Sequence, residues 1–380
     1  YLGADDSRQA NSLDTETDFI KLSGNYLAGN HVITAGYERE TLDIFNIFVQ
    51  HSNGGEYDFF DSSRNNDPAC DALTPQQRYD RVNGCGPSGI DRFELGRPSR
   101  MYYGSGGGTN NPNDAAAIFA NTQNTVYLQD EIFVDHLGLT LVAGLRYEWW
   151  ESDDRPTFNQ AFTDATGGLR NDANLDGIDL LMPRLGFTWE VRDDLTMRGG
   201  VGKYSGGNPN VWLSNAWSND GVTNVQSGSW EENEREFDGP WSVLPGSEFY
   251  TGLVGSERPY YDVPQPIYDF DANTTVNDAN DRRINLIDPT FKQPAEWKFA
   301  LGGTWDMPWY DLSLDFDWLH TRGDNMAYYQ DVSQEIVGST TAGSPIYDYY
   351  GDGEDNLMLT NSGETPTSNM LSFVLSKEWE

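Results

Sequence analysis

Short and long connections alternate along this sequence, between segments in which hydrophobic and polar residues alternate. Tight turns are predicted near Gly29-Asn30, Leu137-Gly138, Arg192-Asp193-Asp194 and Asp306 to Tyr310, and the gaps between hairpins cover residues 51–121, 152–180, 207–293 and 331–368. Every second connection is therefore long. A soluble sandwich has little reason to place all its long loops at one end of the strands. An up-and-down barrel in an outer membrane has short periplasmic turns and long external loops.

About nine strands are predicted, as four hairpins and a lone final strand. They are Thr17 to Ala28, Val32 to Gln50, Thr125 to His136, Leu139 to Trp150, Leu185 to Val191, Leu195 to Tyr204, Trp297 to Trp305, Leu312 to His320 and Ser368 to Glu378. In the clearest strand, Leu141, Leu145 and Trp149 share one face and Arg146 and Glu148 the other. One face is thus apolar and the other polar, which fits a wall between lipid and water.

The apolar residues are too dispersed for a membrane-spanning helix, because no run of 18 or more occurs. A spanning strand needs only its lipid-facing half to be apolar. Aromatic residues gather near predicted strand ends: Tyr147, Trp149, Trp150, Trp305, Trp309, Trp318 and Trp379. They fit interfacial girdles of a membrane barrel, or the capped core of a soluble β-sandwich. Asp315 and Asp317 on the second face favour the barrel, because a two-sided core would have to pair them.

The chain is strongly acidic, with 60 Asp and Glu against 24 Lys and Arg and a net charge of −36. Binding a phosphate backbone needs a basic patch, so we expect no nucleic-acid partner. Two interpretations of the acidity stay open. The acids solvate long loops, or they attract cations and cationic ligands.

Cys70 and Cys85 are the only cysteines, and both lie in the first long gap. A close pair in an otherwise cysteine-free chain predicts a disulfide bond formed in an oxidising compartment, which would stabilise the loop by about 3 kcal/mol. A metal site is the alternative, but the pair lacks a CxxC spacing and a nearby His.

Residues 172–179 carry the one metal candidate. Asp172, Asn174, Asp176 and Asp179, with Gly177 for a sharp bend, resemble the first half of a calcium-binding loop. Pro183 stands where the bidentate Glu would be, so an Asx-rich turn is the alternative. No cofactor is otherwise expected. No catalytic motif is recognisable, and the chain is predicted not to be an enzyme.

The 207–293 gap is rich in aromatic residues, and a loop of that length is usually functional. The candidate ligand-stacking residues are Trp212, Trp217, Trp230, Trp241, Tyr260 and Tyr261. The alternative, which the composition favours, is that they pack the loop onto itself. Arg146, Glu148, Arg198 and Lys203 are candidates to line a lumen or face a plug, with solvated wall positions as the alternative.

Several segments resemble TonB-dependent outer-membrane receptors, and in particular their Oar-like branch, whose members often begin with a carboxypeptidase-regulatory-like domain. The segments are YLQDEI (Tyr127 to Ile132), LTLVAGLRYE (Leu139 to Glu148), PRLGFTWE (Pro183 to Glu190), LTMRGGVGKYSGGNPNVWLSN (Leu195 to Asn215), IDPTFKQPAEWKFALG (Ile287 to Gly302) and DNLMLTNSG (Asp355 to Gly363). The first hairpin is widespread in the family, whereas the later segments are more specific to the branch.

The resemblance implies an all-β, antiparallel transmembrane barrel of 22 strands, closed by an N-terminal plug and energised through TonB. Residues 1–380 would be one part of that barrel domain, about nine strands, without the plug and the remaining strands. The expected location is the outer membrane of a Gram-negative bacterium. Its expected partners are membrane lipid, lipopolysaccharide, the TonB complex through the missing plug, and an unknown extracellular ligand.

Three functions remain open at this point. The first is uptake of a ligand by a receptor or transporter barrel. The second is an adhesion or envelope-structural barrel that binds partners through its loops, and the third is a secreted β-sandwich that binds carbohydrate or hydrolyses glycosides. The ligand itself is not specified by the sequence, because function on this scaffold depends on loop chemistry.

Overall fold

The computed structural model describes residues 5, 8–62, 68–95, 100–227, 283–349, 356–377 and 379. In chain order the strands are β1 (Ala10–Ala28), β2 (His31–Val49), β3 (Glu56–Asp58), β4 (Arg100–Gly106), β5 (Ala117–Val134), β6 (Leu139–Glu151), β7 (Asp179–Arg192), β8 (Leu195–Ser205), β9 (Asn224–Ser227), β10 (Asn285–Ile287), β11 (Ala295–Asp306), β12 (Leu312–Asp324), β13 (Ala327–Asp331), β14 (Gln334–Ser339), β15 (Pro345–Tyr349), β16 (Leu357–Asn361) and β17 (Thr367–Lys377). Four short helices accompany them, α1 (Pro75–Tyr79), α2 (Gly89–Leu95), α3 (Gln160–Ala165) and α4 (Asn210–Ser218). Within the described residues, none of the helices has the length and apolar character needed to cross a bilayer.

Nine long strands form one sheet, here called the main sheet, in the order β1-β2-β5-β6-β7-β8-β11-β12-β17. Every neighbouring pair is antiparallel. Each strand therefore pairs with the next long strand in the chain, as the predicted hairpins require. The predicted number of strands and their up-and-down order are confirmed.

Tight turns join the main-sheet strands at one end, the short-turn end. Ala28 pairs with His31, so the first turn has two residues, and Gly29 has a φ of +65° there. Gly138 closes the turn between β5 and β6 with a φ of +59°. Glycine adopts such angles without steric cost, and a turn of fixed length sets the register of its strands. The turns therefore decide which side chains share a face.

The two faces of the main sheet differ along their whole width. One row of directly paired residues on the first face contains Ile132, Leu141, Phe187, Gly199, Leu301, Trp318 and Leu371. A row on the opposite face contains Phe133, Thr140, Thr188, Arg198, Gly302, Asp317 and Ser372. The first, apolar face is exposed, with Leu128 at 55% and Leu371 at 62%. This period-two separation is the predicted one.

The long connections lie together at the other end of the main sheet. We call their described parts, within residues 50–116, 152–178, 206–294 and 325–366, the loop layer. Two small sheets link different connections: β3-β4-β9 joins the first to the third, and β10-β16-β13 joins the third to the fourth. The β14-β15 hairpin forms a separate two-stranded sheet. The loop layer is thus a folded unit, with short strands and helices that were not among the nine predicted strands.

The largest hydrophobic core lies where the loop layer meets the polar face. Its fully buried members include Trp150 from β6, Leu213 from α4, Ile287 from β10 and Leu359 from β16. All four long connections or their flanking strands contribute to it. The core therefore holds the connections to one another and to the main sheet, which we also call the wall.

Several predicted strands are too short at the loop-layer end. β5 starts at Ala117, not at Thr125, and β7 starts at Asp179, not at Leu185. β1 starts at Ala10, not at Thr17. Some of these extensions are polar, and others carry apolar residues on the face that the loop layer covers. They therefore break the alternation of one apolar and one polar face from which the strands were predicted.

Candidate functional site

The middle of the polar face carries a network of ion pairs across four strands. Arg146 on β6 contacts Glu148 through Nε (2.6 Å to Oε1) and Glu38 on β2 through Nη1 (2.7 Å to Oε2). Its Nη2 also donates to Thr125 Oγ1 on β5 (3.2 Å), and Lys21 Nζ on β1 lies 2.6 Å from Glu38 Oε1. The structure thus places Arg146 and Glu148 together on the polar face. Two cations and two carboxylates leave this patch close to neutral.

A second network lies nearer the short-turn end. Arg198 on β8 reaches across β11 to Asp317 on β12, with Nη2 2.9 Å from Oδ1. The residue between them is Gly302, where an added Cβ would lie 2.2 Å from Asp317 Oδ1. Glycine is therefore needed for this pair to meet above β11. Thr304 extends the network by donating to Asp315 Oδ1 (2.6 Å).

Lys203 does not share this face, and the prediction that it does is wrong. It pairs with Trp297 in the ladder, on the face that carries Val201 and Phe299. Its Nζ lies 2.6 Å from Asp324 Oδ2 at the loop-layer end of β12. Because side chains alternate with a period of two, residues 198 and 203 cannot point the same way in an unbroken strand.

Helix α4 and the aromatic residues around it cover the loop-layer end of the polar face. Trp217 stacks on Phe119 of β5 with ring centroids 4.3 Å apart, and Trp212 stacks on Tyr329 of β13 at 4.5 Å. Both predicted ligand aromatics thus pack the loop layer against the wall and against another connection, as the self-packing alternative stated. The other four, Trp230, Trp241, Tyr260 and Tyr261, lie outside the described residues.

Trp150 is also placed differently from its prediction. It was grouped with Tyr147 and Trp149 as an interfacial aromatic, but its even position puts it on the polar face, where it is 1% exposed in the main core. Tyr147 and Trp149 do stack on the apolar face, 5.7 Å apart, near the loop-layer end. At the short-turn end, Trp305 donates from Nε1 to Asp194 (3.2 Å).

Buried polar contacts lock the second connection to the third. Asn159 Nδ2 donates to the carbonyl of Asp220 (3.0 Å), and the Asp220 carboxylate accepts from the backbone N–H groups of Val222 (2.8 Å) and Thr223 (2.6 Å). Burial raises the pKa of Asp220, and these hydrogen bonds only partly offset that effect. The Asp220 side chain is fully shielded from water, and three donors from one turn surround its carboxyl oxygens.

A second group of polar contacts joins the third connection to the fourth. Asp288 accepts from Thr360 Oγ1 (2.6 Å) and from the backbone N–H of Thr290 (2.7 Å). Burial would raise the pKa of Asp288, but these hydrogen bonds outweigh it and lower the pKa. Asn361 adds reciprocal hydrogen bonds to the backbone of Lys292, at 2.7 and 2.8 Å. The loop layer therefore has specified internal geometry and not only apolar packing.

The predicted disulfide bond between Cys70 and Cys85 is present, with a Cα–Cα distance of 5.7 Å. It encloses α1, which has a capping box formed by Thr74 and Gln77. Arg78 on α1 binds Asp91 on α2, with Nε 2.6 Å from Oδ2. The Arg78 guanidinium, helped by hydrogen bonds from Ser88, holds the pKa of Asp91 at about 2. Together these contacts make a small cross-linked unit at the outer side of the first connection.

Three of the four predicted calcium ligands contact protein groups through their side chains. Asp172 pairs with Arg170 (2.9 Å, Nε to Oδ1), Asp179 accepts from the Tyr147 hydroxyl (2.8 Å), and Asn174 donates to two backbone carbonyls and accepts from the Asp176 N–H. Across the part of the chain that the structure describes, no three His, Cys, Asp or Glu side chains gather to hold a metal. The Asn174 contacts are those of an Asx turn. The calcium site stays a prediction.

Asn121 was not predicted as a site residue, and Glu148, Trp150 and Trp217 were not predicted to be buried with it. Asn121, Glu148, Trp150 and Trp217 are between 1% and 6% exposed. Each has a side-chain polar atom without a hydrogen-bond partner in the described ranges. Asn121 could have been found from its odd position in β5, in line with Thr125 and Tyr127, if the start of the strand had been recognised.

Comparison with protein families decides what this sheet and loop layer belong to. Residues 3–378 match the model of the family described as "Outer membrane beta barrel domain". The chain belongs to this family. Its fold is an antiparallel outer-membrane β-barrel, and its location is the outer membrane of a Gram-negative bacterium. The apolar face therefore contacts lipid, the polar face is the inner face, and the loop layer is extracellular.

Solved structures with a similar chain course are outer-membrane transporters and receptors. They include the FrpB iron transporter from Neisseria meningitidis (F5-1 variant, apoprotein form; 11% identity, TM-score 0.42) and the Serratia marcescens hemophore receptor HasR in complex with HasA and heme (12%, 0.41). A third is the outer membrane transporter YddB from Escherichia coli (12%, 0.42).

The matches cover 97%, 97% and 96% of this chain but only 35%, 40% and 30% of those three proteins. No curated protein sequence matches the chain significantly.

Proposed function

We propose that this family member is part of a TonB-dependent receptor barrel that takes up an extracellular ligand. The observation that carries the proposal is the position of the loop layer. The four connections pack into one extracellular unit, and this unit covers the inner face of the main sheet and not its lipid-facing side. A unit in that position controls access to the lumen. The motifs that resemble TonB-dependent receptors, and within them the Oar-like branch, support the same role.

The free edges of the main sheet support a larger barrel. β1 and β17 both run from the loop-layer end to the short-turn end, so they cannot pair with each other in an antiparallel manner. Lipid cannot satisfy unpaired backbone groups, so closure needs an odd number of further strands. The proposed partners are lipopolysaccharide at the apolar face and the TonB complex, reached through a plug domain. The proposed role is binding and transport, with no catalysis.

Uptake can be tested without knowing the ligand. Three strains of the source bacterium would be grown in a defined medium supplemented with its natural extract: wild type, a strain without this protein, and a strain without TonB. We expect both deletion strains to leave the same solutes undepleted, measured by mass spectrometry of the medium. Identical depletion in the wild type and in the strain without this protein would refute uptake.

Adhesion through the loops is the second candidate, and one observation favours it. The β14-β15 hairpin exposes Ile336 (65%), Val337 (54%), Ile346 (45%) and Tyr347 (55%) on the extracellular side. Apolar residues exposed as a group mark interaction surfaces. Deleting residues 334–349 would separate the functions: loss of surface attachment with unchanged solute depletion would favour adhesion.

A further inference from the structure

Four buried side chains beneath the loop layer have polar atoms without partners in the described part of the structure. The atoms are both amide atoms of Asn121, Oε2 of Glu148, and the indole Nε1 of Trp150 and of Trp217. We call these four residues the polar seam. Burying a polar atom without a hydrogen bond is unfavourable, so such an atom in a native protein calls for an explanation.

The polar seam is continuous on the inner face. Trp150 lies directly opposite Gln123 and Glu148 opposite Thr125, so Asn121 is diagonal to Trp150, on the same face of the adjacent strand. Trp217 comes from α4, and its ring stacks on Phe119, two residues before Asn121. The wall thus provides three members of the seam, and the helix above it provides the fourth.

The chemistry of the seam selects a neutral, hydroxyl-rich ligand. The two indole N–H groups and the Asn121 NH₂ donate, whereas Asn121 Oδ1 and Glu148 Oε2 accept. A hydroxyl group can serve as donor and acceptor at one atom, so it matches this mixed set. The charge of Glu148 is already balanced by Arg146, at 2.6 Å, which leaves no excess charge to attract an ion.

Helix α4 is held over the seam by apolar contacts, and at its C-terminal end the Asn219 carbonyl accepts a hydrogen bond from the Asn285 N–H (2.9 Å). Leu213, Ala216 and Trp217 are buried against the wall, while the N-terminus of the helix has no side-chain cap. The Tyr329 hydroxyl reaches the Trp212 carbonyl only at 3.5 Å. No hydrogen bond among the described residues joins α4 to β5, so the helix can separate from that strand by losing apolar contacts while its C-terminal end stays bonded to Asn285.

We propose that the polar seam is a subsite for one sugar-type unit, and that α4 is the lid that uncovers it. The ligand hydroxyls bind Asn121, Glu148 and Trp150 on the wall. Trp217 contributes its N–H from the lid. The role of this subsite in uptake rests on the proposed receptor function, but binding itself does not.

The test is equilibrium binding to the purified protein in detergent micelles. The probes are maltose and cellobiose, with tri-alanine as a zwitterionic ligand of zero net charge whose donors and acceptors are on separate atoms. Binding would be followed by titration calorimetry and tryptophan fluorescence. We expect a disaccharide to bind saturably, and Asn121→Leu and Trp150→Phe each to weaken it about 3- to 10-fold through the lost hydrogen bonds.

Trp149→Phe is the matched control. Trp149 is the neighbour of Trp150 on the lipid-facing side, where its Nε1 donates to Glu151 (3.2 Å), so binding should be unchanged. Hydrogen exchange of the wild type gives a second measurement that needs no variant. A bound disaccharide should change amide protection in α4 and leave that of β17 unchanged.

Three results would overturn the proposal: no disaccharide binding to the wild type, binding of tri-alanine alone, or disaccharide binding that Asn121→Leu and Trp150→Phe leave intact. In the first case Asn121→Leu would simply be more stable, because it removes unpaired polar atoms. Sugar binding without TonB-dependent depletion of solutes from the medium would refute the proposed uptake and support the subsite. TonB-dependent depletion of solutes without sugar binding would support the uptake and refute the subsite.

Discussion

The wall and the loop layer use the same apolar residues in opposite ways. In the wall, Leu22 is 72% exposed and Leu375 is 61% exposed. In the loop layer, Leu213 and Leu359 are fully buried. The wall is covered by lipid, so its leucines need no protein partner, whereas the loop layer stands in water and must build its own core. Apolar side chains in this chain are therefore exposed to lipid along the wall and buried in a protein core in the loop layer, and the boundary lies at the extracellular ends of the strands.

The largest effect that distinguishes the two regions should come from truncating a leucine. Leu359→Ala in β16 removes a fully buried side chain from the loop-layer core, which typically costs about 2–5 kcal/mol. We expect the loop layer to lose hydrogen-exchange protection while the strands of the wall keep theirs. Leu371→Ala on the lipid-facing side of β17 is the control. Equal loss of protection in both regions would mean that the wall and the loop layer unfold as one unit.

Placing a charge on the wall should produce the opposite distribution. Leu128→Arg puts a cation on the lipid-facing row between Ala35 and Leu145, at an expected cost of about 2–4 kcal/mol near the bilayer midplane. Gln129→Arg, the next residue on the inner face, should cost much less. Urea unfolding of the protein refolded into lipid vesicles would measure both. A Gln129 variant as unstable as the Leu128 variant would contradict the assignment of the faces.

The disulfide should stabilise only part of the loop layer. Replacing Cys70 and Cys85 together by Ser should destabilise residues 68–95 by up to about 3 kcal/mol, the entropy of a loop of this size. Limited proteolysis should then cut this segment first, with the main core unaffected. If cleavage is unchanged, the contacts of α1 and α2 suffice without the cross-link.

The same segment should respond to acid through Asp91. Its pKa is about 2 in the folded protein against an ordinary value of 3.8, so its ion pair with Arg78 stabilises the segment fully above pH 4. That contribution, on the order of 1–2 kcal/mol, is lost as the pH falls through 4 towards 2. Asp91→Asn should remove this pH dependence of hydrogen exchange in α1 and α2, and Asp80→Asn should preserve it. A pH response that survives in Asp91→Asn would assign it to another group.

The smallest effect is expected inside the wall. In Gly302→Ala, the added methyl group would displace Asp317 from Arg198 and would also lie 2.8 Å from the Phe316 carbonyl oxygen, at a combined cost of about 1–2 kcal/mol. Gly186→Ala on the same inner face meets its nearest neighbour at 3.7 Å and should be close to neutral. Thermal unfolding of both variants would compare them. Similar melting temperatures would mean that the ion pair contributes little to the stability of the wall.

Local patterns predicted the wall better than the loop layer. The alternation from Leu139 to Trp149 and the turns at Gly29 and Gly138 were sufficient for strand order and faces, because both depend on near neighbours in the chain. Trp150 and the start of β5 were misplaced because their surroundings come from α4, which is distant in sequence. The disulfide was predictable because a single pair of cysteines allows only one connectivity.

What the sequence determined by itself is therefore the barrel: a two-residue period and turns of fixed length leave one arrangement of faces and strands. What only the tertiary structure decided is the extracellular side. It made Trp212 and Trp217 packing residues, and it brought Asn121, Glu148, Trp150 and Trp217 into one buried seam. The physical reason is distance along the chain. The pleat and the turns act between neighbours, whereas burial in the loop layer depends on which remote segments exclude water together.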